Sequence, residues 1–138
     1  MTFAQQAPLR RPRTRSYLFV SAAEPLAAAQ AAWSAPTPID VCVSGPSAAA
    51  RDAAAFASAG RPVRMVEEPL LGARRADEDD IAVVRRHADA LRALYALDTR
   101  SALVVWDDLA AGGQSALVLD DAWLLHTAEL IERHLPLR

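Results

Sequence analysis

The stretch Tyr17-Leu18-Phe19-Val20-Ser21-Ala22-Ala23-Glu24-Pro25 decides how the rest of the chain is read. An apolar run closes on small residues, and Glu-Pro then opens an alanine-rich segment. Pro25 suits the first turn of a helix, where its missing N–H costs nothing, and Glu24 suits the positive end of the helix dipole. The pattern is strand, tight turn, helix, the junction where α/β proteins place their chemistry.

Outward from this junction, the pattern predicts strands over Ser16 to Val20, Ile39 to Ser44, Pro62 to Val66, Ser101 to Trp106 and Ser115 to Leu119. Helices are expected from Pro25 to Trp33, Ser47 to Ala59 and Asp79 to Leu97, and a last one is capped by Asp121. Gly60 supplies a helix stop. Ile81, Val84, Ala88, Leu91 and Tyr95 recur at helical spacing and predict the face packed on the sheet. Strands with little alternation, separated by helices, imply a mostly parallel five-stranded sheet with helices on both faces. Between the fourth and fifth strands, Asp107 to Gln114 is too short for a helical crossover and holds the turn-forming Gly112-Gly113. These strands are therefore expected to pair as a hairpin, leaving the fifth as an antiparallel edge.

With 138 residues, 52% of them hydrophobic, the chain can bury one core, expected over residues 16–138 after a flexible tail over 1–15. The net charge of -2 gives no field favouring nucleic acid or an anionic membrane. No apolar run reaches the ~20 residues of a membrane span, and the arginine-bearing N-terminus lacks a signal-peptide core. A cytoplasmic location is expected. All 15 basic residues are arginine, which with the heavy alanine usage suggests a GC-rich bacterial genome. The single cysteine, Cys42, excludes an intrachain disulfide and reads as a small buried hydrophobe.

The opening stretch resembles, without a gap, the L-V-R-H-G-E signature of the histidine phosphatase (phosphoglycerate-mutase-like) superfamily. Phe19, Val20 and Glu24 keep its shape, while Ser21 and Ala22 stand at the arginine and nucleophilic histidine. The family's S-S-P-L-x-R-A-x-Q-T-A motif is similar to Ser44-Gly45-Pro46-Ser47-Ala48-Ala49-Ala50-Arg51-Asp52-Ala53-Ala54, with Ala49 at the phosphate-binding arginine. Arg51 lies two residues on, about 200° around a helix, and reads as a surface arginine. Val66 to Gly72 resembles the segment leading to the catalytic acid, with Gly72 at its position. Val104-Val105-Trp106-Asp107-Asp108 resembles the strand end carrying the second histidine, with Asp107 in its place; a second alignment puts Asp121 there instead. The resemblance covers roughly residues 16 to 120 and implies a first strand in the sheet's centre, between the second and fourth.

What the resemblance implies chemically is an imidazole that takes a phosphoryl group, arginines that hold its oxygens and an acid that protonates the leaving group. Ala22 is no nucleophile, and Ser21 and Ala49 offer no guanidinium fork. Asp107 would add a like charge: two unit charges about 4 Å apart repel by roughly 4 kcal/mol at an effective dielectric of about 20. The expectation is a catalytically inactive pseudophosphatase acting through a protein partner, a second copy or a small ligand, with no cofactor and no metal. Its pocket should be framed by Ser21, Ala22, Ala23, Ser44, Ala49, Trp106 and Asp107. The alternative is a repurposed enzyme or binder using an acidic crevice. There Asp107, Asp108 and Glu24 are the candidate acid-base groups, because paired carboxylates in a partly apolar pocket can split their pKa values. The acidic run Asp77-Glu78-Asp79-Asp80 reads as a helix start rather than a metal site, and His87, His126 and His134 complete no ligand spacing.

Overall fold

The computed structural model describes residues 15–107 and 117–136. Five strands and four α-helices are seen in this range. The strands are β1 (Ser16–Ser21), β2 (Val41–Ser44), β3 (Arg64–Glu67), β4 (Ser101–Trp106) and β5 (Leu117–Asp120). The helices are α1 (Pro25–Ser34), α2 (Ala48–Ser58), α3 (Asp80–Tyr95) and α4 (Asp121–His134), with a 3-10 turn at Pro69–Leu71 before α3. Residues 1–14 of the tail expected over 1–15, Asp108, the Gly112-Gly113 turn and the expected strand start at Ser115 lie outside the described residues.

The strands form one mixed sheet in the order β3-β2-β4-β1-β5. β4 is parallel to both β1 and β2, β2 is parallel to β3, and β5 runs antiparallel along β1 from Phe19↔Leu117 to Ser16↔Asp120. Two expectations fail here. β4, not β1, lies between β2 and its partner across the sheet, and β1 sits between β4 and β5. Nor do β4 and β5 form a hairpin. Both edges of β4 are already taken by parallel neighbours, so the returning strand finds its free N–H and C=O groups on β1. The choice of β4 as the centre follows from its side chains: Ser101 to Trp106 are buried throughout, as a strand covered on both faces requires. β3, with Arg64, Met65 and Glu67 exposed, is an edge.

Helices cover both faces. On one, α1 and α2 press Ala28, Ala31, Ala32, Ala50, Ala53, Ala54 and Ala57 against Leu18, Val20, Cys42, Leu103 and Val105. On the other, α3 and α4 pack Ala90, Leu91, Leu94, Leu124 and Ala128 against Tyr17, Phe19, Val41, Val43, Val104 and Trp106. Burial pushes the Tyr17 hydroxyl up to about 12, and it donates to the Leu94 carbonyl at 3.0 Å. Cys42 is fully buried, as expected, with Sγ 3.9 Å from the Ala54 carbonyl.

The helix starts follow capping chemistry. Ser47, Asp79 and Asp120 accept from the N–H groups of Ala50, Ala82 and Trp123 at 3.0, 2.8 and 2.9 Å. The cap of α4 is thus Asp120; Asp121 is its first helical residue and pairs with Arg15 at 3.1 Å. Arg15 does not belong to a tail. Its guanidinium also donates to the Tyr95 and Leu97 carbonyls at 2.9 and 3.0 Å, closing the carbonyl end of α3. Gly60, at φ 75, adopts the left-handed conformation that ends α2.

Of the expected face of α3, Ala88 and Leu91 are buried and Tyr95 is partly buried, but Ile81 and Val84 are exposed, while Val83, Arg86, Ala90 and Leu94 point inward. The reason is Arg86. It is buried, forks onto Glu78 at 2.8 and 2.9 Å, and donates to the Leu70 and Gly72 carbonyls at 3.0 and 2.6 Å. The irregular 68–78 segment has few backbone partners of its own, so the guanidinium supplies the donors.

The Arg86 hydrogen bonds pull the Glu78 carboxyl down to about 2 from its ordinary 4.5. Folding therefore favours its ionised form. The stabilisation is complete above about pH 4.5 and drains away as the pH falls from there toward about 2. Thermal melting followed across that window should fall steeply in the native chain. Glu78→Gln should melt lower at neutral pH and lose less on acidification; parallel curves would contradict the pairing.

Candidate functional site

In a parallel sheet the loops leaving the carboxyl ends of the strands converge, and here they converge on β4. Ala22 N–H, just past β1, donates to the Trp106 carbonyl at 3.1 Å. Gly45 N–H, just past β2, donates to the Val105 carbonyl at 2.9 Å. Asp107 N–H donates to the Leu71 carbonyl at 3.1 Å, which ties in the segment after β3. The Asp107 carboxylate then accepts from the Ser47 hydroxyl and from Ser47 N–H at 3.3 Å. Ser47 is also the cap of α2, so Asp107 reaches the helix start through one intermediary.

These closures leave little room. A Cβ on Gly45 would lie 2.8 Å from both Asp107 Oδ2 and the Leu71 carbonyl. A Cβ on Gly72 would meet Pro46 Cγ at 3.1 Å and the Pro69 carbonyl at 3.3 Å. The position that the resemblance gives to the catalytic acid is thus packed against the β2–α2 loop.

Ala22 and Ala49 come together. With Pro25, Asp52, Ala53 and Phe56 they line an open, mostly apolar hollow of about 380 Å³ between the start of α1 and one side of α2. Ser21 is buried beside it, and its Oγ accepts from Ala23 N–H at 3.1 Å, holding the turn; Ala23 itself is exposed. Glu24 occupies the cap position of α1, yet its carboxylate makes no capping bond. Ser44 is buried in β2, its carbonyl accepting from Glu68 N–H at 2.9 Å.

Trp106 is not part of this hollow. It is 7% exposed and belongs to the opposite face, 5.8 Å from the Phe19 ring and edge-on to His87 at 5.2 Å. Successive strand residues point to opposite faces, which separates Trp106 from Val105 and the α1–α2 layer. The single crevice expected to unite Ser21, Glu24, Trp106 and Asp107 is not formed: Ser21 lies in register with Trp106, and the sheet separates Trp106 from the hollow at Ala22 and Ala49. Asp121 stands beside Arg15, at the amino end of β1, far from Ala22 along that strand.

Electrostatically, the hollow lacks the cations that a phosphate needs. Arg51 is exposed, as expected, and is spent on the Pro46 carbonyl at 2.9 Å and Glu67 at 3.4 Å. Among the described residues, no group of three or more His, Cys, Asp or Glu side chains is placed to hold a metal ion. Glu78, Asp79 and Asp80 from the acidic run serve Arg86, the α3 cap and Arg74. His126 and His134 are exposed on α4, the latter 2.9 Å from the Leu130 carbonyl. No helix among the described residues is long and apolar enough to cross a membrane.

Sequence reasoning missed two residues that shape this region. Arg86 carried no signal, because its neighbour Arg85 made both look solvated. Ser47 was legible as a helix cap but not as the partner of Asp107, sixty residues away. Compared with known proteins, the chain matches no family model, no curated protein and no solved structure.

If Asp107 is a clamp, its loss costs stability. Asp107→Ala and Ser47→Ala should each destabilise the chain by about 1–2 kcal/mol. The double variant should cost less than their sum by about 1 kcal/mol in chemical denaturation. Strict additivity would remove the clamp.

Proposed function

We propose that this chain is a catalytically inactive, histidine-phosphatase-like domain that works by binding, through the hollow above Ala22 and Ala49. One observation carries the reading. The two positions where the resemblance calls for the nucleophilic histidine and a phosphate-binding arginine line the same hollow, and both are alanine. Where the resemblance expects an imidazole and a guanidinium, the residues supply only methyl groups.

The other substitutions fit the same account. Ser21 is occupied in a turn, Gly72 is packed against Pro46, and Asp107 accepts from Ser47. A phosphomonoester arriving here would meet no guanidinium fork and no imidazole, and it would meet the negative charges of Asp52 and Glu24 nearby. The engagement of Asp107 also weighs against the repurposed enzyme. A general base must reach a substrate proton, and this carboxylate is already satisfied by a hydroxyl and an N–H.

The test is a hydrolysis assay with para-nitrophenyl phosphate together with melting curves in inorganic phosphate. The rate should equal that of buffer, and phosphate should leave the melting midpoint in place. Turnover that disappears in Asp107→Ala would overturn the proposal in favour of an acidic-crevice enzyme.

A further inference from the structure

The α1–α2 layer is inverted. Its inner side is alanine, whereas the large apolar side chains of the two helices, Leu26, Trp33 and Phe56, are 63%, 76% and 56% exposed. Trp33, at the far end of α1, is partly covered by the Arg61 guanidinium, 4.2 Å above its ring. Phe56 forms a wall of the hollow, and Leu26 follows Pro25, which forms another. Phe56 is thus the one of the three that lines the hollow around Ala22 and Ala49.

Its charge is one-sided. Asp52 lines the hollow, and Glu24 stands in the chain between two lining residues, Ala22 and Pro25. Neither has an ion-pair partner among the described residues, and the neighbouring Arg51 is held by Glu67. Apolar walls between two unpaired carboxylates complement a chain segment with a bulky apolar side chain flanked by cations.

Resting on the reading of the hollow as a binding site, we propose that its occupant is a basic peptide segment of a partner protein. One leucine-sized side chain sits over Ala22 and Ala49. Arginine or lysine residues on either side of it face Glu24 and Asp52. Acidic residues on two separate segments, Glu24 before α1 and Asp52 on α2, suit an extended segment better than a compact amine.

The experiment titrates the full chain with three peptides, acetyl-Gly-Arg-Leu-Arg-Gly-amide and its counterparts carrying Glu for Arg or Gly for Leu. Binding is read by calorimetry and by amide NMR shifts at Ala22, Ala49 and Asp52. The Arg-Leu-Arg peptide should bind. Replacing its leucine by glycine should weaken it about tenfold or more, the value of a buried leucine side chain. Replacing its arginines by glutamates should abolish binding. Asp52→Asn with Glu24→Gln should weaken it several-fold and flatten the salt dependence, and Phe56→Ser should weaken it without lowering the melting midpoint. Equal binding of the glutamate peptide, still lost in Phe56→Ser, would overturn the basic-segment assignment while leaving the hollow as a binding site. Self-association abolished by Phe56→Ser, with no peptide bound, would assign the hollow to a second copy and overturn it too. Absence of all binding overturns it outright, whereas phosphomonoester turnover would sink the underlying reading instead.

Discussion

Three consecutive residues at the end of β4 hold the carboxyl edge of the sheet together. The Val105 and Trp106 carbonyls receive the first N–H groups beyond β2 and β1, and the Asp107 N–H reaches the segment after β3. The Asp107 side chain then fixes the start of α2 through Ser47. Because β4 is buried throughout and bonded on both edges, its end is a rigid reference for the loops. A loop at a strand end is ordinarily the most variable part of an α/β protein. Here each of the three is tied to one strand by hydrogen bonds of 2.9 to 3.1 Å.

That constraint bears on what chemistry the edge can host. Tying the loops down so closely demands small residues where they meet: Gly45 against Asp107 and the Leu71 carbonyl, and Gly72 against Pro46. A carboxylate at position 72 would have to displace Pro46 or the Pro69 carbonyl. A carboxylate at position 107 stays because it is hydrogen-bonded, which lowers the cost of half-burying a charge. Close packing and reactive side chains compete for the same volume, and on this edge packing has taken most of it. What remains open is the hollow at Ala22 and Ala49, where methyl groups line a space that larger side chains would fill.

Much of this architecture was legible in the sequence, for physical reasons that vary by element. β4 read as a buried strand because Ala102 to Trp106 is continuously apolar, and helix starts read correctly at Ser47 and Asp79 because capping is local chemistry. The α4 cap shifted from Asp121 to Asp120 because adjacent aspartates offer the same chemistry, and only the backbone conformation chooses between them. Strand pairing is legible only in part: the fifth strand is the expected antiparallel edge, but on β1 rather than β4. The short gap after Trp106 favoured a hairpin, but pairing depends on which edges the other strands leave vacant. The α3 face is legible only in part, at Ala88 and Leu91, because a buried arginine imitates a solvated one in a periodicity count. For the site, Ala22 and Ala49 were placed by motif spacing, while the division between them and Trp106 required the pleat of two adjacent strands.

The alanine content of α1 and α2 has an energetic consequence. A buried alanine removes little apolar area from water, and each additional buried CH₂ contributes only about 0.8 kcal/mol. The layer therefore gains little from its inner side chains. It is held by close approach, by the Ser47 cap and by the loop closures onto β4. A domain built this way could have turned Leu26, Trp33 and Phe56 inward for stability, yet all three face outward. Large apolar side chains gathered on one surface usually mark a place where something binds. Of the three, Phe56 lines the hollow with Ala22 and Ala49, whose flanking loops β4 pins. One side of the hollow is thus built on loops held by β4, and a preorganised surface loses less entropy when a partner settles on it.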